Sequence, residues 1–433
     1  MQGRSLFGYS QNSTIKNLKM LDVNISYSQG GIVDYVYGSI TIENCKTSGE
    51  MTGYGRKGGV LGYTYSTDSN ASIKVYSTSN GINISGASSD GAGGIIAYLQ
   101  INAEFENCSN TGNITATSSA GGILGYLRKN AEFTNCSNTG KITGTYGYIG
   151  GIIGDTYGAS GATNITNCYN KGEITGATYI GGIAGRGFSG SISHCYNEGT
   201  VNSTGLCGGI VGSPNGPEIT YCYNTGTIKI TGSSPYEIGG IIAVSSYNTN
   251  IKYCYNTGDI IAETNSIGST GGICGTGNGT IENCYNIGNI TIKSSGSIYH
   301  IGGIQGNGSN SKKIINCYNT GKITATSTST SSNPYSLGGI VGEGGTIENC
   351  YNIGEIETNS TNSQIGSVAG KPSSITDCYY LDGTYEKATG GSITYEVTSV
   401  EDEDAIKSIM NTKLATIEGW KVSTTGGYPE LEF

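Results

Sequence analysis

The apolar positions of this chain recur in a ten-residue pattern that is clearest at residues 281–290, IENCYNIGNI. In this pattern Ile and Cys are apolar anchors, whereas Asn and Gly favour turns. The pattern returns about every 30 residues, and a unit of that length is too short to bury a core by itself, so each copy must stack on its neighbours. The repeat therefore predicts an all-β parallel solenoid of about thirteen coils. The cysteines that mark the copies are Cys45, Cys108, Cys136, Cys168, Cys195, Cys222, Cys254, Cys284, Cys317, Cys350 and Cys378.

Two further copies lack the cysteine. Tyr76 takes its place in IKVYSTSNGI, and Leu18 takes its place in IKNLKMLDVNI. The pattern therefore extends almost to the start of the chain, and the predicted solenoid spans residues 1–380.

Each predicted coil contains three short strands. The first is I-x-N-C-Y, the second follows the turn N-x-G, and the third is GGI after a polar loop of variable length. Ile281 and Cys284 are three positions apart, so both point inward only if the chain bends between them, and Asn283 tolerates the left-handed backbone that such a bend needs. The pattern then places Tyr285 outside and alternate later positions inside, which are Asn286, Gly288 and Ile290.

The repeat stops after Cys378, and residues 381–433 have a different pattern. The stretch VEDEDAIKSIMNTKL predicts a helix with Ser399 as its N-cap, acidic residues in its first turn and one apolar face. The open end of a solenoid exposes unpaired strand edges, so we expect this segment to form a small α+β cap. The residues of the apolar face are Ile406, Ile409, Met410 and Leu414.

The charge of the chain argues against several classes of partner. The formal net charge is −9, and the lysines and arginines are scattered, so no basic stripe is available for nucleic acid or for an anionic membrane surface. No run of eighteen apolar residues is present, and the start of the chain does not have the pattern of a secretory signal. The absence of a signal is compatible with a cytosolic protein, but SLFG at residues 5–8 resembles the end of a GGI segment, as if the chain began within a coil. We therefore expect the chain to be an excerpt of a longer exported protein.

The 13 cysteines predict a packed ladder rather than disulfides or a metal site. In parallel register, equivalent side chains lie alongside one another instead of pointing at each other, and CxxC pairs are absent. Small buried hydrophobic side chains are the simpler interpretation. Many unpaired thiols in an exported protein would suit a habitat poor in oxygen. No cofactor or metal is predicted.

The GGI segments resemble those of the GLUG-motif repeat family, with GGILG at 121–125, GGIIG at 150–154 and GGIAG at 181–185. The resemblance covers about residues 1–380, and this sequence prefers Ile where the motif has Leu. It implies a right-handed parallel β-helix in adhesin-like, exported surface proteins of gut bacteria, including anaerobes. Similar repeats precede the catalytic part of some metallopeptidases that cleave immunoglobulin A.

Candidate catalytic groups are sparse in the sequence. A hydrolase or lyase needs converging acidic, basic or cationic side chains. The two histidines, His194 and His300, are about four coils apart, HExxH does not occur, and the arginines fall at different phases of the repeat. We therefore expect a non-catalytic protein.

The tyrosine that follows each repeat cysteine is the most suggestive surface feature. If these rings face outward, they form a column at the spacing of the coils, and aromatic faces stack well on sugar rings. The alternative is that the tyrosines pack on one another and shield the backbone. The candidate ligand-binding residues are Tyr169, Tyr196, Tyr223, Tyr255, Tyr285, Tyr318 and Tyr351, and Tyr379 continues the series.

These observations favour an extracellular or cell-surface stalk or adhesin-like module, monomeric or part of a larger chain. Its outer loops or tyrosine column would bind glycans or host surface proteins. The alternative is a polysaccharide-degrading β-helix enzyme, or the non-catalytic region of a larger surface peptidase. The two differ in that an enzyme requires a groove in which several charged side chains converge.

Overall fold

The computed structural model describes residues 2–87, 91–187, 189–216, 218–245, 248–309, 312–329, 336–361, 364–391 and 395–432. It contains two compact units. The first comprises Met1–Ser203 and Ile210–Asn215, and the second comprises Thr204–Gly209 and Gly216–Phe433. Both units are parallel β-solenoids, as the repeat predicts, and each is built from three sheets that run along the stacked coils.

The asparagine sheet holds the strands around the N-x-G turn. In the first unit its strands are Gln2–Gly3, Lys19–Ile25, Lys46–Met51, Ser79–Ala87, Ser109–Asn110, Ile114–Ala116, Ser137–Asn138, Ile142–Gly144, Tyr169–Asn170, Ile174–Gly176, Tyr196–Asn197 and Val201–Ser203. In the second unit they are Tyr223–Asn224, Ile228–Ile230, Tyr255–Asn256, Ile260–Thr264, Tyr285–Asn286, Ile290–Ser294, Tyr318–Asn319, Ile323–Ser327, Tyr351–Asn352, Ile356–Thr358, Tyr379–Leu381 and Thr398–Val400.

The glycine sheet holds the strands that enter the GGI segments. Its strands in the first unit are Lys57–Gly58, Ala92–Gly93, Ala120–Gly121, Tyr148–Gly150 and Tyr179–Gly181. Its strands in the second unit are Leu206–Gly208, Glu237–Gly239, Ile267–Gly271, Ile298–Gly302, Ser336–Gly338 and Ile365–Gly366.

The isoleucine sheet holds the strands that follow GGI and those that carry I-x-N. In the first unit they are Phe7–Lys16, Val33–Glu43, Leu61–Tyr65, Ser72–Tyr76, Ile96–Leu99, Asn102–Glu106, Leu124–Leu127, Ala131–Thr134, Ile153–Asp155, Thr163–Thr166, Ala184–Arg186, Gly190–Ser193 and Val211–Ser213. In the second unit they are Glu218–Thr220, Ile242–Ser245, Ile251–Lys252, Cys274–Gly277, Ile281–Glu282, Gln305–Gly308, Lys313–Ile315, Val341–Glu343, Thr346–Glu348, Ala369–Lys371 and Ser374–Thr376.

Strand pairing follows the sequence repeat. Tyr255 and Asn256 pair in parallel with Tyr285 and Asn286 of the next coil, and Ile251 pairs with Ile281 in the same way. Because equivalent residues are register partners, every repeated side chain forms a row along its unit. This pairing confirms the predicted stacking of equivalent positions.

The bend between the isoleucine and asparagine sheets has the predicted backbone. Asn283 has φ 53°, and this bend places both Ile281 and Cys284 in the interior, where each is fully buried. The same left-handed conformation recurs at the equivalent position of other coils, even where His194, Tyr221 or Tyr253 replaces asparagine. Stacking therefore imposes the bend on residues that favour it less.

Asparagine ladders lie inside the solenoids. In the first unit the amide of Asn110 donates to Gly112 O at 2.8 Å and to the side-chain oxygen of Asn138 in the next coil at 2.7 Å. The same two bonds link Asn256 to Gly258 and Asn286 in the second unit, each at 2.8 Å. Each buried amide thus holds its own turn and fixes the register of the next coil.

The glycines of the GGIxG segment allow the backbone of neighbouring coils to approach closely. A Cβ atom on Gly151 would lie 2.1 Å from Gly182 O of the next coil, and one on Gly154 would lie 2.8 Å from the backbone nitrogen of Ala120. Real Cβ atoms do not approach backbone that closely, so a side chain is excluded at both positions.

The C-terminal part of the second unit contains the helix Glu403–Leu414 and the antiparallel pair Trp420–Lys421 with Glu430–Leu431. The predicted N-cap Ser399 is wrong, because Ser399 lies in the strand Thr398–Val400. The cap is Asp402, whose carboxylate accepts a hydrogen bond from Ala405 N at 2.7 Å. Ser399 is instead paired with Tyr380 of the preceding coil, and this pairing delays the start of the helix.

The segment before the helix completes the last coil. Thr384 O accepts from Ile356 N at 3.0 Å and Ala388 O accepts from Val368 N at 2.9 Å, so residues 382–391 continue the backbone ladder of the solenoid. The helix and the final pair of strands pack beside the asparagine sheet of the second unit, on its tyrosines. Their buried residues are Ile406, Met410, Leu414, Trp420 and Leu431, and Val400 of the last strand of the asparagine sheet joins the same cluster.

Candidate functional site

The predicted tyrosine column exists, and its members stack within each unit. In the first unit the rings of Tyr169 and Tyr196 are 5.1 Å apart and 7° from parallel. In the second unit Tyr223, Tyr255, Tyr285 and Tyr318 follow one another at 4.9 Å with planes within 2°. Rings stacked in this way cover each other's faces, so sugar rings would meet mainly ring edges and hydroxyl groups.

The C-terminal segment covers the middle of the column in the second unit. Tyr285 is 6% exposed, Tyr318 is 1% exposed and Tyr351 is 0% exposed. Of the two interpretations of the column, exposed rings and packed rings, only packing applies to these three tyrosines, because the helix and the final strands lie on them. Tyr169, Tyr196, Tyr223 and Tyr255 remain partly exposed.

The contacts between the C-terminal segment and the column are specific. The indole of Trp420 lies against Tyr285 and Tyr318 with ring centroids 6.1 and 5.7 Å away, and its N–H donates to Asn283 Oδ1 at 3.3 Å. The hydroxyl of Tyr318 donates to Pro429 O at 2.8 Å. Burial raises the pKa of Tyr255 to about 12 and that of Tyr318 well above its usual value. These features are those of a packed interior.

A second set of tyrosines lies on the isoleucine sheet of the first unit, and the sequence analysis missed it. The tyrosine platform, as we call it, comprises one row with Tyr9, Tyr35 and Tyr63 and a second row with Tyr37 and Tyr65. These residues follow the GGI segment or its equivalent, as in GGVLGYTY. The recurrence of tyrosine at this second place in the repeat is the sequence feature from which the platform could have been predicted.

The rings of the tyrosine platform are tilted rather than stacked. Tyr35 and Tyr63 meet edge to face at 6.1 Å and 75°, and Tyr37 and Tyr65 are 5.9 Å apart and tilted by 38°. Tyr9 is 60% exposed, Tyr65 45% and Tyr35 39%. Tilted, exposed rings present faces to solvent, which the tyrosine column does not.

The platform continues along the same row into aromatic and arginine side chains. Tyr98 and Tyr126 are the next register partners after Tyr63, and their rings stack at 5.1 Å. The guanidinium of Arg56 lies 4.6 Å from the ring centroid of Tyr63 and 4.3 Å from that of Tyr98. Arginine stacked on tyrosine keeps its charge while its N–H groups point away from the rings.

Two more arginines follow in the same unit. The guanidinium of Arg128 lies 5.1 Å from the ring centroid of Tyr126, and its Nε donates to Tyr98 Oη at 3.2 Å. Arg186 is held by Tyr148 at 3.5 Å and by Asp155 at 3.2 Å. The arginines fall at different phases of the repeat, as the sequence indicated, and three of them nevertheless contact tyrosines of one unit.

Asp155 is the buried carboxylate of this region, and it is 1% exposed. Burial raises its pKa, while the backbone N–H of Tyr157 and the guanidinium of Arg186 oppose that rise. The charges of Arg186 and Arg128 both stabilise the Asp155 carboxylate, and Arg186 does so through a direct ion pair.

Charged side chains also converge at one place in the second unit. Glu343 lies 3.2 Å from His300 Nδ1 and 2.9 Å from Lys371 Nζ, and Ser336 Oγ is 3.4 Å from it. Burial lowers the pKa of His300, and Glu343 opposes this effect. This cluster contains a single carboxylate, whereas glycoside hydrolysis uses a pair.

The cysteines form the predicted buried ladder. All 13 are buried and none forms a disulfide, and thiols of the ladder donate to backbone carbonyls, as Cys108 does to Val75 O at 3.3 Å. Among the described residues, no group of three or more His, Cys, Asp or Glu side chains could hold a metal ion. Within the same residues, no helix is long and apolar enough to cross a membrane.

Comparison with known proteins identifies the repeat. The family model described as the GLUG motif matches residues 116–143 and 176–202, so the predicted resemblance is confirmed in two repeats of the first unit. A solved structure, a putative immunoglobulin A1 protease from Bacteroides ovatus, is similar over 62% of this chain and 86% of that chain, with 17% sequence identity and a TM-score of 0.40. No curated protein matches the chain.

Proposed function

We propose that this chain is a non-catalytic binding module of an extracellular or cell-surface protein, and that it holds glycan chains on the tyrosine platform. The observation that carries the proposal is the pair of exposed, tilted tyrosine rows on the isoleucine sheet of the first unit. The GLUG repeats supply a regular scaffold for these rows. In this proposal no side chain on the scaffold acts in catalysis.

The physical basis is the fit between sugar rings and aromatic faces. A tyrosine ring offers an apolar face to the C–H groups of a sugar while its hydroxyl remains available for hydrogen bonds. The platform rings stand on paired β-strands, so they are ordered before a ligand arrives and lose little conformational entropy on binding. A polymer of sugar units can therefore contact several coils at once.

Polar side chains among the rings supply hydrogen-bonding groups. The hydroxyl of Tyr37 lies 2.9 Å from Thr67 Oγ1, and the side-chain amide of Gln29 donates to the hydroxyl of Tyr35. Binding sites for small molecules and sugars commonly combine apolar walls with a few placed polar groups. The platform has this combination.

Affinity electrophoresis through gels that contain plant, host or microbial polysaccharides tests the proposal. The unaltered protein is expected to be retarded by at least one glycan, and the double substitution Tyr35→Ala with Tyr65→Ala to weaken that binding about tenfold or more. Tyr236→Ala is the matched control, because Tyr236 is 67% exposed but belongs to the second unit. Equal retardation of all three proteins would rule out the tyrosine platform as the glycan-binding site.

The enzyme alternative has its own observation, the cluster of His300, Glu343 and Lys371. Incubating the retained glycan with the protein and measuring new reducing ends and unsaturated products distinguishes the two functions. Our proposal expects neither product. Cleavage that is lost in Glu343→Gln would replace the binding function with a catalytic one.

A further inference from the structure

The spacing of the tyrosine platform is set by the stacking of the coils. Tyr9, Tyr35 and Tyr63 are register partners in three successive coils of the first unit, and Tyr37 and Tyr65 are partners in the last two of these. The ring centroids of Tyr35 and Tyr63 are 6.1 Å apart, and those of Tyr37 and Tyr65 are 5.9 Å apart. Each row therefore runs across the strands, along the stack of coils, with one ring in each coil.

The two rows lie side by side on the same face of the isoleucine sheet. Tyr35 and Tyr37 are two positions apart on the strand Val33–Glu43. Residues two apart on a strand point to the same face, about 7 Å from each other. The platform is thus at most two rings wide and three coils long. This shape suits a linear chain that lies along the rows better than it suits a compact ligand.

The exposure of the rings limits the length of the site. Tyr9 is 60% exposed, Tyr35 is 39% exposed and Tyr63 is partly exposed, whereas Tyr98, the next ring of the same row, is 5% exposed. Tyr98 also stacks on the ring of Tyr126 at 5.1 Å, which covers one of its faces. The accessible part of the row therefore spans the three coils that carry Tyr9, Tyr35 and Tyr63.

One sugar on each coil requires a straight chain. In a β-1,4-linked chain of glucose both bridging bonds are equatorial and leave the ring on opposite sides, so the chain extends as a flat ribbon. Each sugar then advances by about the separation of two stacked strands. The axial C–H groups point above and below the ribbon, and these are the groups that pack on aromatic side chains. Chains linked β-1,3 or α-1,4 curve, so their successive rings turn away from a straight row.

We propose that the tyrosine platform binds extended β-1,4-linked glycans, and that the chain lies along the stack of coils with one sugar on each coil. This inference rests on the proposed glycan-binding function and specifies the linkage and the direction of its ligand. The hydroxyl groups of Tyr37 and Thr67, which are 2.9 Å apart, can each form a further hydrogen bond with a sugar hydroxyl.

Three hexasaccharides of glucose that differ only in linkage test the preference. Cellohexaose is linked β-1,4, laminarihexaose β-1,3 and maltohexaose α-1,4, so their composition and size are the same. We expect the protein to bind cellohexaose about tenfold or more tightly than either of the others, because only the straight chain meets all three coils. Calorimetric titration measures the three affinities.

The length of the ligand tests the direction of the chain. Affinity for cello-oligosaccharides is expected to rise up to about three sugars, one for each coil, and then to level off. Tyr9→Ala removes the ring of the first coil, so it should lower the affinity for cellotriose about threefold or more and leave that for cellobiose nearly unchanged. Tyr27→Ala is the matched control, because Tyr27 is 83% exposed in the same unit but lies outside the platform. Circular dichroism of each variant confirms that the fold is intact.

The outcomes separate this inference from the function on which it rests. If the three hexasaccharides bind equally and all lose affinity in Tyr35→Ala with Tyr65→Ala, glycan binding stands and the linkage preference is wrong. If cellohexaose is preferred but Tyr9→Ala binds cellotriose as the unaltered protein does, the direction of the chain is wrong. If none of the three binds, the inference fails, and the wider polysaccharide panel decides the proposed function separately.

Discussion

At the scale of single residues, the buried asparagines combine two tasks in one side chain. Asn138 accepts from Asn110 and donates to both Gly140 O and Asn170, at 2.7 to 2.8 Å. The side chain is fully buried, so water cannot replace a partner that is removed. Asparagine, which the sequence analysis identified as a residue that favours turns, thus also fixes the register between neighbouring coils.

Asn138→Ala is therefore expected to lower the free energy of unfolding by about 2–4 kcal/mol, because it leaves one N–H of the Asn110 amide without its acceptor and removes a donor from Gly140 O and from Asn170 Oδ1. Urea denaturation followed by circular dichroism measures the change. Thr139→Ala is the control, since Thr139 is exposed in the same turn, and we expect it to stay within about 0.5 kcal/mol of the unaltered protein. A similar loss in both variants would contradict the ladder's role.

The cysteines lead to a second prediction at this scale. All 13 thiols are buried, so a reagent cannot reach them in the folded protein, and burial also raises the pKa of Cys207 and Cys274. We expect a thiol reagent at about pH 8 to label almost no cysteine in the folded protein and all 13 after denaturation. Rapid labelling of the folded protein would show that the ladder opens.

At the scale of elements, the GGI segment depends on having no side chain at its second glycine. Gly151→Ala would place a methyl group 2.1 Å from Gly182 O. Both residues belong to the paired backbone of adjacent coils, so neither can move independently of the other. We expect a loss of at least about 3 kcal/mol in the free energy of unfolding, or a failure to fold. Gly8→Ala is the matched control, because nothing lies within 4 Å of its Cβ position. Thermal melts of the two variants compare them directly.

The C-terminal helix is attached to the solenoid partly by charge. The hydrogen bond from Lys413 lowers the pKa of Asp377, and Lys407 and Tyr428 lower the pKa of Glu403. A carboxyl whose pKa is lower in the folded state stabilises that state above the pKa of the unfolded form. This contribution is lost as the pH falls through the folded value.

We therefore expect the helix and final strands to loosen from the tyrosines below about pH 4. Trp420 is the single tryptophan and is 7% exposed, so a red shift of its fluorescence reports the loosening. Lys413→Ala should weaken the attachment at neutral pH by no more than about 1 kcal/mol, because the pair is partly exposed, and should flatten the pH dependence. Lys387→Ala, an exposed lysine, should do neither.

At the scale of the whole molecule, the sequence predicted the fold more fully than the surface. The length of the repeat, the bend between the strands and the inward-facing positions could all be predicted from Ile281, Asn283 and Cys284. This was possible because every coil repeats the same local structure. The packing of the C-terminal segment on Tyr318 could not be predicted in the same way. It includes a hydrogen bond between residues 111 positions apart, and the C-terminal partner lies outside the repeat. The arginine contacts also escaped the sequence, because Arg56 and Arg128 reach the same tyrosine, Tyr98, from different phases of the repeat.

The pairing of strands between neighbouring coils also predicts how far along the solenoid a substitution lowers stability. The strands of each coil pair with those one repeat before and after, as Asn138 does with Asn110 and Asn170, so most contacts connect neighbouring coils only. In such a scaffold the stability of a coil depends on its own bonds and on the two adjacent interfaces. A single substitution should therefore open a local region before the whole protein unfolds.

Hydrogen exchange of Asn138→Ala tests this expectation. We expect faster exchange in the strands Ser109–Asn110, Ser137–Asn138 and Tyr169–Asn170, and unchanged protection in Tyr255–Asn256 of the second unit. Mass spectrometry of peptides from these segments measures both. Thr139→Ala should leave all four segments unchanged, because no ladder bond is removed. Uniform acceleration in both units would mean that the protein opens only as a whole, which would contradict a stability built from interfaces between neighbouring coils.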